Sequence, residues 1–227
     1  MSLIQEDTDD EVIERRLLDE LAWDDRIDSS NIRVEVKGRR ARLEGSVPSL
    51  HDRSIAVDSA WSVRGLLGVE DNLFVEHPSG QAPPSGGALK SNLERMLEWH
   101  SANDSSNIVV EVDGANVTLK GTVSTYWKKL RIESLVGQVA GVYDVTNALA
   151  VVPADGQGTD NRIAEALMDA LYRRPEMHVD TLDITVDEGV VTLQGTVPDP
   201  WNYRNVLEVA QRTRGVRHVV DRVGIRD

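Results

Sequence analysis

DSSNIRVEVKGRRARLEGSV, residues 28–47, alternates apolar and polar side chains twice, with a short turn between the two runs. Ile32, Val34 and Val36 alternate with Arg33, Glu35 and Lys37; Ala41, Leu43, Gly45 and Val47 alternate with Arg42, Glu44 and Ser46. A period of two places each apolar set on one face of a half-buried strand. The turn within VKGRRA joins the strands into a β-hairpin. The stretch returns as DSSNIVVEVDGANVTLKGTV at 104–123, with 12 identities in 20 positions. It returns again at 178–197, where 8 of 20 positions match the second copy.

The register extends outward from the hairpin. Gly45, Gly121 and Gly195 correspond, as do Gly65, Gly141 and Gly215, and the two glycines stand 20 residues apart in every copy. These spacings define three repeats, offset by 76 and then 74 residues. An apolar helical stripe precedes each hairpin. It is Ile13, Leu17, Leu18 and Leu21 in the first repeat, Leu89, Leu93, Met96 and Leu97 in the second, and Ile163, Ala166, Leu167, Ala170 and Leu171 in the third.

A second helix follows each hairpin, with Pro48, Ser124 or Pro198 suited to its first turn. Its inward faces are Ala56, Ser59, Ala60 and Val63; Ile132, Leu135, Val136 and Val139; and Val206, Val209, Ala210 and Thr213. The glycine at 65, 141 or 215 reads as the helix C-cap. Gly45 and its equivalents, on the inward side of a strand, suit a close backbone approach. A last strand closes each unit, through Val69, Leu73 and Val75; Val145, Leu149 and Val151; and Val219, Val223 and Ile225.

The predicted class is α+β: three tandem α-β-β-α-β units, each with two helices packed on one face of a three-stranded mixed sheet. The first unit spans 1–77 with an acidic N-terminal arm, the second 88–152 and the third 159–227. Pro-, Gly- and Ser-rich linkers at 78–87 and 153–158 separate them.

Composition bounds the function. Hydrophobic content is 40% and charged content 28%, as in globular proteins; the absence of Cys removes disulfides, thiolate metal sites and Cys nucleophiles, and no lipoprotein anchor is expected. The net charge of −13 repels nucleic acid, and no nucleic-acid partner is expected. That charge is uneven, at −8 over residues 1–78, −1 over 79–152 and −4 over 153–227. No apolar run approaches the roughly 18 residues of a membrane span. The acidic start MSLIQEDTDDEVIERR lacks an apolar signal segment, so the expected location is cytoplasmic, or periplasmic if a signal has been removed.

No enzyme motif stands out. The five His residues, at 51, 77, 100, 178 and 218, occupy unrelated register positions. The acidic run at 7–11 lacks the Gly and Glu of a calcium loop and reads as a helix cap or an arm. Gly156 and Gly158 lack the flanking pattern of a phosphate loop. No catalytic, cofactor or metal residues are assigned.

The α-β-β-α-β order, with GVYDVTNALAV at 141–151 and GVRHVVDRVGI at 215–225, resembles the BON domain of bacterial osmotically inducible and nodulation proteins. GLLGVEDNLFV at 65–75 keeps the frame, with Leu66 where Val is usual. The resemblance implies phospholipid or envelope association, osmotic-stress protection and no catalysis. The alternative is a cytosolic adaptor or sensor for a protein partner or a monovalent cation such as potassium.

The candidate lipid or partner surface lies at the start of the second helix. Tyr126 and Trp127 precede Lys128, Lys129 and Arg131, while Trp201 and Tyr203 precede Arg204. Rings beside cations suit phospholipid headgroups, each nearby base adding about 1 kcal/mol on an anionic surface. The competing view is that these rings pack on the core or on a neighbouring repeat. Trp23 and Trp99, register-equivalent, are expected in the core, and Trp61 is expected outward as a partner contact. The basic hairpin tip at 38–42 could meet phosphate or the acidic arm, with a solvated loop as the default. The polar DSSN of the first two repeats is expected to shape the helix-to-strand turn.

Overall fold

In the computed structural model the described residues are 9–76, 85–100, 108–153, 159–174, 176–177, 179 and 181–226. Outside them lie most of both expected linkers, the N-terminal arm, the DSSN of the second repeat, His77, His178, and the side chains of Trp99 and His100.

Each repeat takes the predicted order. The first contains α1 (Asp10–Trp23), β1 (Ile32–Lys37), β2 (Arg40–Val47), α2 (Leu50–Ser62) and β3 (Gly68–Val75). The second contains α3 (Gly86–His100), β4 (Ile108–Asp113), β5 (Asn116–Val123), α4 (Tyr126–Gly137) and β6 (Asp144–Val151). The third contains α5 (Asp160–Tyr172), β7 (Leu182–Asp187), β8 (Val190–Val197), α6 (Pro200–Arg212) and β9 (His218–Ile225). Three three-stranded sheets result, ordered β1-β2-β3, β4-β5-β6 and β7-β8-β9. β1 pairs antiparallel with β2, and β2 pairs parallel with β3; β7, β8 and β9 repeat this arrangement. The parallel pair needs a crossover, which the second helix supplies.

Compactness divides the chain into two units. One takes in residues 1–89, 112–117 and 136–145, and the other 90–111, 118–135 and 146–227. In the first, Ile13, Leu17 and Leu21 of α1 join Ala41, Leu43 and Val47 of β2 and Ile55, Ala56 and Ala60 of α2 in one core. In the second, Ile163, Leu167 and Leu171 of α5 meet Val191, Leu193 and Val197 of β8 and Val206, Val209 and Ala210 of α6.

The ends of the elements have local causes. Ser49, Thr125 and Asp199 are register-equivalent N-caps, each accepting a backbone N–H three residues on. Pro48 and Pro198 therefore precede the cap instead of entering the first turn, where Pro200 stands. The C-caps of α2 and α6 are the extended residues Val63 and Thr213, so Gly65 and Gly215 lie two residues beyond the cap, in the turn to the last strand. Gly45 and Gly195 show the expected close approach. A Cβ on them would stand 2.0 Å from the Asn31 carbonyl oxygen and 2.2 Å from that of Thr181.

Three expectations are corrected by helix phase. Trp23 is 82% exposed, not in the core. The buried stripe of α1 runs by fours through 13, 17 and 21, and residue 23, two positions further, comes round about 200° to the other side. Leu18, one residue off the stripe, is exposed for the same reason. Ala166 is likewise exposed on α5. Trp61 is half-buried and makes contacts in the chain; it borders the buried face of α2.

Candidate functional site

The starts of α4 and α6 carry the candidate residues, and they differ. Tyr126 is buried at 8% exposure and belongs to the core of the second unit. Its ring meets His218, at the start of β9, edge-on, with centroids 5.6 Å apart and planes at 89°. Burial pushes its hydroxyl pKa up, opposed by a hydrogen bond with the Val219 backbone. Trp127 is half-buried beneath the Arg212 guanidinium, whose carbon lies 4.4 Å from the ring centroid. Lys128 turns back to donate to Ser124 Oγ at 3.0 Å. Lys129 is half-buried, and Arg131 is exposed. Most of the expected surface at α4 is thus spent on protein.

At α6 the surface is open. Trp201 is 47% exposed and Arg204 is exposed. The Trp201 carbonyl accepts from Asn205 Nδ2 at 2.8 Å, and Arg174 Nη1 reaches Asn205 Oδ1 at 3.5 Å. Arg174, just past the end of α5, is therefore held near the first turn of α6. Tyr203 does not share this surface: it is half-buried and its hydroxyl donates to Asp221 at 2.6 Å. Burial first, and the Asp221 carboxylate second, raise its pKa well above the ordinary value.

That bond belongs to a set that sequence reasoning missed. Asp71, Asn147 and Asp221 are register-equivalent on the last strand, and so are Arg53, Lys129 and Tyr203 on the second helix. Arg53 Nε donates to Asp71 at 2.8 Å, and Asn147 Nδ2 donates to the Lys129 carbonyl at 3.0 Å. Each strand residue also accepts the N–H two positions on. The signal was present: a polar residue stands at an inward position of an otherwise apolar alternation.

A second set pins the hairpin tips. Asp10 accepts from the Gly38 and Arg39 N–H groups, both at 2.7 Å, and Asp160 accepts from Glu188 and Gly189 at 3.1 and 2.9 Å. A concavity lined by Thr159, Asp160, Glu188, Gly189 and Arg217 surrounds the second pair. Its central carboxylate is already engaged. Among the described residues no group of three or more His, Asp or Glu side chains gathers as a metal site.

The three repeats each match the BON domain model, at residues 9–76, 85–153 and 159–227. The chain belongs to the BON domain family. A curated relative, an uncharacterized protein in the gshII 5′ region of Anaplasma centrale, is 26% identical over 125 residues, 53% of this chain and 83% of that protein. Among solved structures, CdsD, a structural protein of the type III secretion system of Chlamydia trachomatis, is 14% identical over 93% of this chain and 91% of its own, at a TM-score of 0.26. The PrgH periplasmic domain is 13% identical over 92% of this chain and 100% of its own, at 0.22. BON domains form a non-catalytic binding family associated with stress and membranes. No helix among the described residues is long and apolar enough to cross a membrane.

Proposed function

We propose that this BON protein is a non-enzymatic, multivalent scaffold that works by docking the start of each second helix on a macromolecular surface. The observation that supports it is Tyr126. A ring at a helix start lies buried in the core it shares with α5, β8 and α6, and its neighbour Trp127 lies under Arg212. The aromatic start of α4 thus acts, within this molecule, as a protein-docking element. Hydrogen exchange on the full chain tests it. Tyr126→Ala should speed exchange of the Val219 amide and its neighbours in β9, and unchanged protection there would refute the reading.

A second reading, association with anionic phospholipid, is favoured by one observation on the third repeat. Trp201 and Arg204 are exposed, and the Arg174–Asn205 hydrogen bond holds a second cation at the same end of α6. It predicts that the protein sediments with phosphatidylglycerol–cardiolipin vesicles and not with phosphatidylcholine, less so as salt rises. Binding that survives Trp201→Ala would refute this placement.

A further inference from the structure

We infer that the chain associates head to tail, the start of α6 in one copy docking on the end of α2 and the start of β3 in a second copy. The inference rests on the docking function proposed for the second helices and names its partner.

Register points to the two surfaces. Positions 50, 126 and 200 are equivalent, and so are 51, 127 and 201. On the receiving side the equivalent sets are 61, 137 and 211; 62, 138 and 212; and 68, 144 and 218. Within one unit, Leu50 at the start of α2 lies against Gly137 at the end of α4, where an added Cβ would stand 3.3 Å from Leu50 Cβ. Within the other, Tyr126 and Trp127 lie against His218 and Arg212. Both contacts run in the same sense, from the helix start of one repeat to the helix end of the next. Three repeats make two such contacts. The helix start of the third repeat and the receiving end of the first are the two surfaces that these contacts do not use.

The chemistry of the two ends matches. Where the third repeat carries the large Arg212 and His218, the first carries the small, exposed Ser62 and Gly68, which lies buried under Arg40. Arg40, exposed, crosses Gly68 with Nη1 2.7 Å from the place a Cβ would take. It can supply for Trp201 the cation that Arg212 supplies for Trp127. This gives the basic hairpin tip a role that the sequence alone left open. Trp61, engaged within its own chain, borders the same end. A contact of this kind is heterologous: it joins two different surfaces, and closes into a ring or extends according to the rotation from copy to copy. Both end repeats are acidic, at −8 and −4 for residues 1–78 and 153–227, so salt should strengthen association by screening their repulsion. Binding to anionic vesicles would respond to salt in the opposite sense.

The protein has no Cys, so single thiols report the junction without background. Full-length Ser62→Cys and Arg204→Cys are mixed with a short bismaleimide over a salt series. The expected result is a covalent dimer several-fold above either variant alone, rising with salt. It should fall several-fold when Trp201→Ala is added to the Arg204→Cys copy or Arg40→Glu to the Ser62→Cys copy. A mixture no better than Ser62→Cys with Val109→Cys, or Arg204→Cys linking chiefly to itself, overturns the inference. If the junction fails while Tyr126→Ala still loosens β9, docking stands and a second copy is not the partner; vesicle binding lost in Trp201→Ala then names the membrane. If Tyr126→Ala leaves β9 unchanged, the docking reading itself has failed.

Discussion

The starts of α4 and α6 are the same structural position with the same residue type, and they have opposite fates. Trp127 and Trp201 are register-equivalent, and both helices begin from an N-cap at the equivalent residue. Yet Tyr126 and Trp127 are taken up by protein, while Trp201 remains 47% exposed. An aromatic helix start therefore does not by itself denote a membrane surface. Its use depends on whether another repeat presents a receiving end to it. The largest effect predicted from this contrast is on stability. Tyr126→Ala should cost about 3–4 kcal/mol, as for a large ring removed from a core, whereas Trp201→Ala should stay within about 0.5 kcal/mol, as for a surface change. Urea denaturation of the two variants measures both. Equal losses would erase the distinction.

The hairpin tips offer a second contrast, with a smaller expected effect. Arg39 and Glu188 adopt the left-handed region, at φ 62° and 47°, where a side chain is strained. Asp10 and Asp160 hold these turns by two hydrogen bonds each. In the second repeat the register position of both carboxylates is Gly86; Gly114, equivalent to Glu188, is left-handed at φ 61°, but Ala115, equivalent to Arg39 and Gly189, is not. Turn geometry and clamp thus vary together. Asp160→Ala should cost about 1–2 kcal/mol, since charge-assisted bonds to two N–H groups are lost and the strained turn remains. The same measurement on Gly86→Ala should show no comparable loss. If it did, the clamp would not be what separates the tips.

The fold was legible because each of its patterns was written three times. A period of two or of 3.6 records which side of an element meets the core, and that side is the same in every repeat. Legibility failed where a position depended on something beyond its own element. Tyr126 is apolar and basic-flanked, as a membrane-facing ring would be; only the surface formed by α6 and β9 shows that it is docked. Trp23 is a different failure. The four-residue stripe ending at Leu21 already placed it on the outer side, and its match with Trp99 outweighed that phase. Asp71, Asn147 and Asp221 were also readable, as polar residues at inward strand positions. Their partners on the second helix differ in kind (a guanidinium, a backbone carbonyl and a phenol), so no side-chain pair recurs in the sequence to announce them.

The smallest predicted effect concerns the ends of the first helices, where the outer repeats differ in charge. Asp24 follows α1, and its register position in the third repeat is Arg174. Asp24 accepts from two Arg26 side-chain nitrogens, Nε at 2.8 Å and Nη2 at 2.5 Å, and from its backbone N–H at 3.1 Å. The Arg26 guanidinium holds this carboxyl at about 2, below the ordinary value. A carboxylate with a depressed folded pKa stabilises the fold above its unfolded pKa, and the stabilisation is lost as pH falls through the folded value. The window therefore runs from about 3.9, the unfolded pKa, down to about 2. Asp24→Asn should lower stability at neutral pH, and the gap from the parent protein should close as pH falls across that window. Arg174→Gln should leave a gap that does not change there, because a guanidinium does not titrate in that range. Thermal melts at closely spaced acid pH values measure both. A constant gap for Asp24→Asn would mean that its partner acts on the carboxylate in the unfolded chain as well, and the contrast in charge at these two helix ends would then carry no difference in stability.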